Sequence, residues 1–82
     1  MLKQALLSFV QERVSADASA MPIGENDPLI DRGLIDSIAL LQIMLLIEEK
    51  TGIRIPDDEV LPENFQTVAS MERLVRRLEA GR

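Results

Sequence analysis

Asp36-Ser37-Ile38-Ala39-Leu40-Leu41-Gln42-Ile43-Met44-Leu45-Leu46-Ile47-Glu48-Glu49-Lys50-Thr51-Gly52 reads as one helix with both ends marked. Asp36 is a favoured N-cap, able to accept a hydrogen bond from a backbone N–H of the first turn. Gly52 suits the left-handed position just past a helix end, and Ile53 is placed for the accompanying apolar contact. The spacing predicts a helix from Asp36-Ser37 to Lys50 or Thr51. Between Ile38 and Ile47 only Gln42 is polar. A helix apolar all round is normally buried all round, and a chain of 82 residues can hardly enclose one. The pattern implies a helix central to a bundle that also lends an outer strip to partners.

The flanks supply the rest of the bundle. Upstream, Leu2, Leu6, Phe9 and Val10, with Leu7 and Val14 alongside, recur at three- and four-residue steps and predict a first helix from about Leu2 to Val14. From Ser15 to Leu34 the pattern breaks at Pro22, Gly24, Asn26-Asp27-Pro28 and Gly33, which are turn residues. Leu29, Ile30, Leu34 and Ile35 still need burial, so this long connection should pack on the domain. Unstructured connections of that length are uncommon in compact domains and often functional. Downstream, Ile53-Arg54-Ile55-Pro56 alternates like a short extended segment. Pro56-Asp57-Asp58-Glu59 then resembles the first turn of a short helix, with Pro56 at its first position and Pro62 ending it. A last helix follows Thr67 as N-cap, with Val68, Met71, Leu74, Val75 and Leu78 inward and Arg73, Arg76 and Arg77 largely outside. The tail from Glu79 to Arg82 is expected to fray. The reading is all-α, one domain over residues 1–82: three main helices, one short helix, and a long loop between helices one and two.

Composition narrows the function classes. The apolar share is 46% with only two aromatics, Phe9 and Phe65, so Leu, Ile, Val and Met must pack the core. With no Cys and no His, thiol nucleophiles, disulfides, the usual zinc sites and His-based triads are all excluded. Residues 17–63 carry eleven acids and three bases within a chain of net charge −5. An acidic middle repels nucleic acid and invites basic partners. The first residues lack the pattern of a signal peptide, and the longest apolar run, Ile43 to Ile47, is far short of the roughly 20 residues that span a bilayer. A cytoplasmic chain that binds neither membrane nor nucleic acid is the expectation, as a monomer.

The informative junction is Gly33-Leu34-Ile35-Asp36-Ser37-Ile38, where a serine stands just inside a helix start after a glycine-containing loop. This resembles the phosphopantetheine attachment motif of acyl and peptidyl carrier proteins: Gly, two variable positions, then Asp-Ser-Leu. Asp27-Pro28-Leu29 through Gly33 is similar to that family's approach to the serine. Ile47-Glu48-Glu49-Lys50-Thr51-Gly52 followed by Ile55-Pro56-Asp57-Asp58 resembles its exit from helix two, and Phe65-Gln66-Thr67-Val68 the start of its last helix. The likeness covers nearly the whole chain.

That resemblance implies a carrier-protein-like bundle with 4′-phosphopantetheine, derived from coenzyme A, attached covalently at Ser37. It implies no catalytic residues and no metal site of the chain's own, because a phosphopantetheinyl transferase brings the activating groups. A phosphodiester at Ser37 would sit at a helix N-terminus, where N–H groups and the dipole favour an anion. Asp36 is repulsive toward that anion; it caps the helix, contacts a partner enzyme, or does both. Ile38 stands where relatives usually have Leu, and Leu41, Gln42, Leu45 and Glu48 are the further partner-recognition positions the motif assigns. Ile43, Met44 and Ile47 are assigned to the core. Ala39 and Gln42 replace acids of the fatty-acid carriers, which argues for partners gripping by apolar contact with Glu48, Glu49 and Asp57 as a charged rim.

The Leu-Ile between Gly33 and Asp36 looks closer to free-standing aminoacyl or peptidyl carriers, D-alanyl carriers included, than to housekeeping fatty-acid carriers. The implied role is a stand-alone carrier in natural-product assembly, meeting an adenylating or acyl ligase and acyltransferase or synthase domains. A fatty-acyl or polyketide-starter carrier is the alternative. From other classes, a helical adaptor would use the same apolar strip without modification of Ser37. An enzyme would have to work through carboxylates that form no identifiable pocket motif. Glu48-Glu49 and Asp57-Asp58-Glu59 match no EF-hand loop, and the arginines of the last helix read as a solvated face.

Overall fold

The computed structural model describes residues 2–14 and 23–81. The expected burial of Val14, the turn at Pro22 and the fate of Arg82 lie outside the described residues. Four helices follow one another: α1 (Leu2–Val14), α2 (Ser37–Thr51), α3 (Pro62–Phe65) and α4 (Val68–Ala80), with a 3-10 turn at Asp57–Glu59 before α3. Among the described residues there is no strand. The all-α reading, the bounds of the first two long helices and the start of the last one hold.

Each long helix buries the stripe its sequence predicts. Leu6 and Val10 of α1 are sealed, with Leu2, Leu7 and Phe9 half-buried around them. Helix α2 contributes Ala39, Ile43 and Ile47, and α4 contributes Val68, Met71, Leu74 and Val75. Helix α1 packs on both α2 and α4, and α3 packs on α4. Ile53 and Ile55 are buried while Arg54 between them is exposed, so this segment alternates without joining a sheet. The caps are as read: Gly52 has φ 71° and donates to the Glu48 carbonyl. Thr67 and Ser70 form a reciprocal capping box at the start of α4.

Two expectations need correction. Pro62 was expected to end a short helix begun at Pro56; instead Pro56 lies outside a three-residue 3-10 turn, and Pro62 opens α3 at its first turn. Proline is compatible with either side of a boundary, since its missing N–H is unsatisfied in any first helical turn. The choice is made by Phe65, fully buried at the end of α3, and by Asn64, whose side chain donates to the Glu59 carbonyl at 2.8 Å. Nor does α4 fray at Glu79 and Ala80; the helix runs through both, and Gly81 N–H donates to the Arg77 carbonyl.

The long connection is pinned at defined points. Leu29 N–H donates to the Gln66 carbonyl at 2.7 Å, while the Gln66 side-chain oxygen accepts from Ile30 and Asp31 at 2.9 and 3.0 Å. Ala69 N–H donates to the Glu25 carbonyl, and Lys3 Nζ of α1 meets Glu25 Oε2 at 2.6 Å. Residues 28–34 curl into a turn closed by bonds from Arg32, Gly33 and Leu34 back to Pro28, Ile30 and Leu29. Gly33 ends that turn with φ 73°, a conformation an L side chain rarely adopts. A Cβ there would meet nothing within 4 Å, so a substitution is opposed by backbone conformation alone. Gly33→Ala should therefore lower stability by about 1 kcal/mol, read as a shifted urea midpoint with an unchanged slope.

Candidate functional site

The turn at Gly33 delivers the chain to Asp36, which takes an extended conformation (φ −100°, ψ −174°) and caps α2. Asp36 Oδ1 accepts from Ala39 N–H at 2.7 Å, and its carbonyl accepts from Leu40 N–H at 2.9 Å. The side-chain bond satisfies one of the four N–H groups that the helix start leaves without an intrahelical partner, and the Leu40 bond is the first of the helix itself. Ser37, the first helical residue, is exposed, and its hydroxyl has no hydrogen-bond partner among the described residues. It is neither folded back onto the helix nor paired with a base. A solvent-facing hydroxyl at a helix N-terminus suits acceptance of an anionic group delivered from outside.

Beside Ser37 lies an apolar cleft of about 420 Å³, lined chiefly by Ile30, Ile35, Leu40, Val60, Leu61 and Phe65, with Asp36 and Ser37 completing it. The Gln66 bonds hold one wall and the single turn of α3 holds the other. This volume falls in the range of small-molecule sites. On the outer side of α2, Ile38, Leu41 and Leu45 are exposed by 66%, 58% and 58%. They lie nearly opposite Ala39, Ile43 and Ile47, because steps of three and four residues keep each set on its own face.

The chain matches the family described as the phosphopantetheine attachment site over residues 4–75. It belongs to this family of carrier proteins. The family's prosthetic group, 4′-phosphopantetheine, is covalently attached, and the free, outward hydroxyl of Ser37 fits such a group. Among relatives, the chain is 30% identical to aminoacyl carrier protein 2 of Bradyrhizobium diazoefficiens, over 90% of its own length and 82% of the relative's. It is 31% identical to the D-alanyl carrier protein of Listeria monocytogenes, over 95% and 94%. A solved carrier chain from Bradyrhizobium japonicum, complexed with its glycine:[carrier protein] ligase and an analogue of glycyl adenylate, superimposes with a TM-score of 0.67 at 28% identity. That match covers 94% of this chain and 99% of the other.

In this carrier the residues expected to meet partners fall into two groups. Asp36, Ile38, Leu41, Gln42 and Leu45 are exposed along the first turns of α2, while Glu48 is half-buried farther on. Ile43 and Ile47 are core as expected, and Met44 is only partly buried. Two residues of consequence were not singled out by sequence reasoning. Gln66 stood within a quoted motif, yet nothing in its type announced the three loop amides it serves. Arg13 read merely as lying outside the α1 stripe, but its guanidinium donates to Gln42 Oε1 at 3.1 Å and approaches Asp36 Oδ1 at 3.7 Å.

The capping role of Asp36 separates from its charge by substitution. Asp36→Ala removes the acceptor for Ala39 N–H and should cost about 1 kcal/mol, whereas Asp36→Asn, an equally good cap, should cost a small fraction of that. Thermal melts of both variants check the difference. Among the described residues no helix is long and apolar enough to cross a membrane.

Proposed function

We propose that Ser37 is the attachment point of 4′-phosphopantetheine in this chain, and that the loaded chain carries an aminoacyl group from an adenylating ligase to later enzymes. The observation carrying the reading is the exposed, unpartnered Ser37 hydroxyl at the capped start of α2, inside the matched family span. The prosthetic group supplies a terminal thiol that holds cargo as a thioester. Ser37 supplies the oxygen nucleophile for attachment and gives up its proton to the transferase, because no base is hydrogen-bonded to it. Asp36 holds the helix start rigid beneath it. Ile38, Leu41 and Leu45 offer partners an apolar strip that is already solvent-exposed, so docking removes apolar surface from water without unfolding anything.

The aminoacyl assignment draws on the aminoacyl and D-alanyl relatives and on the carrier solved with a glycine ligase. The apolar cleft beside Ser37 favours a second reading, an acyl carrier whose cargo lies partly along Leu40 and Phe65. On either reading the chain holds a substrate and does not transform it, and its domain is the whole of residues 1–82.

Intact mass of the chain purified from its own source, before and after hydroxylamine, tests the proposal. A pantetheinyl increment with a further aminoacyl increment that hydroxylamine removes is the expected result. A longer acyl increment establishes the second reading. No increment, even after incubation with coenzyme A and a transferase, overturns both.

A further inference from the structure

We infer that Arg13 of α1 is a specificity-determining residue of the surface through which Ser37 is presented. The inference rests on Ser37 being the attachment point. Arg13 stands in the last turn of α1, yet it reaches two positions of the partner-facing strip on α2. Its Nη1 donates to Gln42 Oε1 at 3.1 Å, and its Nη2 lies 3.7 Å from Asp36 Oδ1. The guanidinium carbon also sits 5.8 Å from the centroid of the Phe9 ring, within cation–π range. A planar fork held by a carboxylate, an amide oxygen and a ring face has a fixed direction that a lysine would not reproduce. Its side chain is still 35% exposed.

The consequence is electrostatic. Asp36 is the sole charged residue of the sequence between Gly33 and Glu48, and Arg13 stands against it. Beside Ser37 the strip therefore offers three apolar side chains and a balanced ion pair, although the whole chain carries −5. A partner that grips carriers through basic side chains gains little here and meets a guanidinium. A partner with an apolar socket and a carboxylate gains a charge-assisted hydrogen bond from the exposed edge of Arg13. Arg13 thus discriminates between partner classes by repelling one as well as attracting the other.

The test uses the purified chain, coenzyme A and a broad-specificity phosphopantetheinyl transferase whose carrier-docking surface is basic. KM and kcat are measured at low and near-physiological salt for wild type, Arg13→Gln, Arg13→Glu and Arg73→Glu. Arg73 is exposed on the outer face of α4, so Arg73→Glu makes the same change in net charge elsewhere. Arg13→Glu should lower KM about threefold at low salt, leave kcat unchanged, and lose the advantage as salt rises. Arg13→Gln should move KM in the same direction by less, and Arg73→Glu should stay near wild type. A lowered KM is not produced by loss of structure, so the readout separates recognition from folding. Equal KM shifts in Arg13→Glu and Arg73→Glu, or none in either Arg13 variant while wild type loads normally, overturn this inference alone. A wild-type chain that takes up no group overturns the Ser37 reading and this inference with it.

Discussion

Replacing Phe65 by alanine is expected to lower the unfolding free energy by about 3–5 kcal/mol, the range for truncating a fully buried aromatic. Phe65 is completely buried at the end of α3 and lines the cleft beside Ser37. A helix of four residues has no stability of its own, because nucleation consumes more conformational freedom than one turn of hydrogen bonds returns. Helix α3 is held by Phe65 inside and by Asn64 bonding back to Glu59, so removing the ring loosens the turn as well as leaving a void. Small domains hold about 5–15 kcal/mol in total, which makes this loss a large fraction of the whole. Urea denaturation read by far-ultraviolet circular dichroism checks it. Phe9→Ala, at a half-buried position on α1, should cost markedly less in the same experiment.

Ser37→Ala is expected to abolish attachment completely while leaving the fold as it is. The two outcomes are independent for a structural reason. The Ser37 hydroxyl is exposed and makes no hydrogen bond among the described residues, and alanine is the best helix former at an exposed helical position. The cap belongs to Asp36 and does not change. Melting temperature should stay within about 2–3 °C of wild type, because surface substitutions away from caps and cores change stability by about 0.5 kcal/mol or less. Incubation with coenzyme A and a transferase should then add mass to wild type and none to the variant. Partial loading of Ser37→Ala would mean that another hydroxyl takes the group.

How far the sequence could be read differs by the range of the interaction. Helix α2 was legible at both ends because Asp36 and Gly52 act within a few residues of themselves, through a cap bond to Ala39 and a left-handed φ. That α2 exposes an apolar strip was legible because a helix with more apolar residues than one face can bury must show the excess to solvent, while the choice of Ile38, Leu41 and Leu45 for it came from the resemblance to carrier proteins. Helix α3 was missed because Pro62 is equally at home after one helix or at the start of another, and only the burial of Phe65 decides between them. The Gln66 bonds to Ile30 and Asp31, and the reach of Arg13 to Asp36 and Gln42, join residues far apart in the chain. Neither residue type announces such a partner, since both are common on solvated helix faces. Ser37 was legible as the proposed attachment point from four motif segments in order along the sequence, but its unbonded, exposed hydroxyl is a property of the folded turn.

The most direct test of the account is to locate the prosthetic group on the loaded wild-type chain by fragment-ion mass spectrometry of its peptides. The account predicts that pantetheine is released from, and only from, a peptide containing Ser37, with the remaining phosphate or dehydrated mark on that residue. The group found on any other serine or threonine, Ser8 or Thr51 for example, or a fully loaded chain whose Ser37 peptide is unmodified, would contradict it.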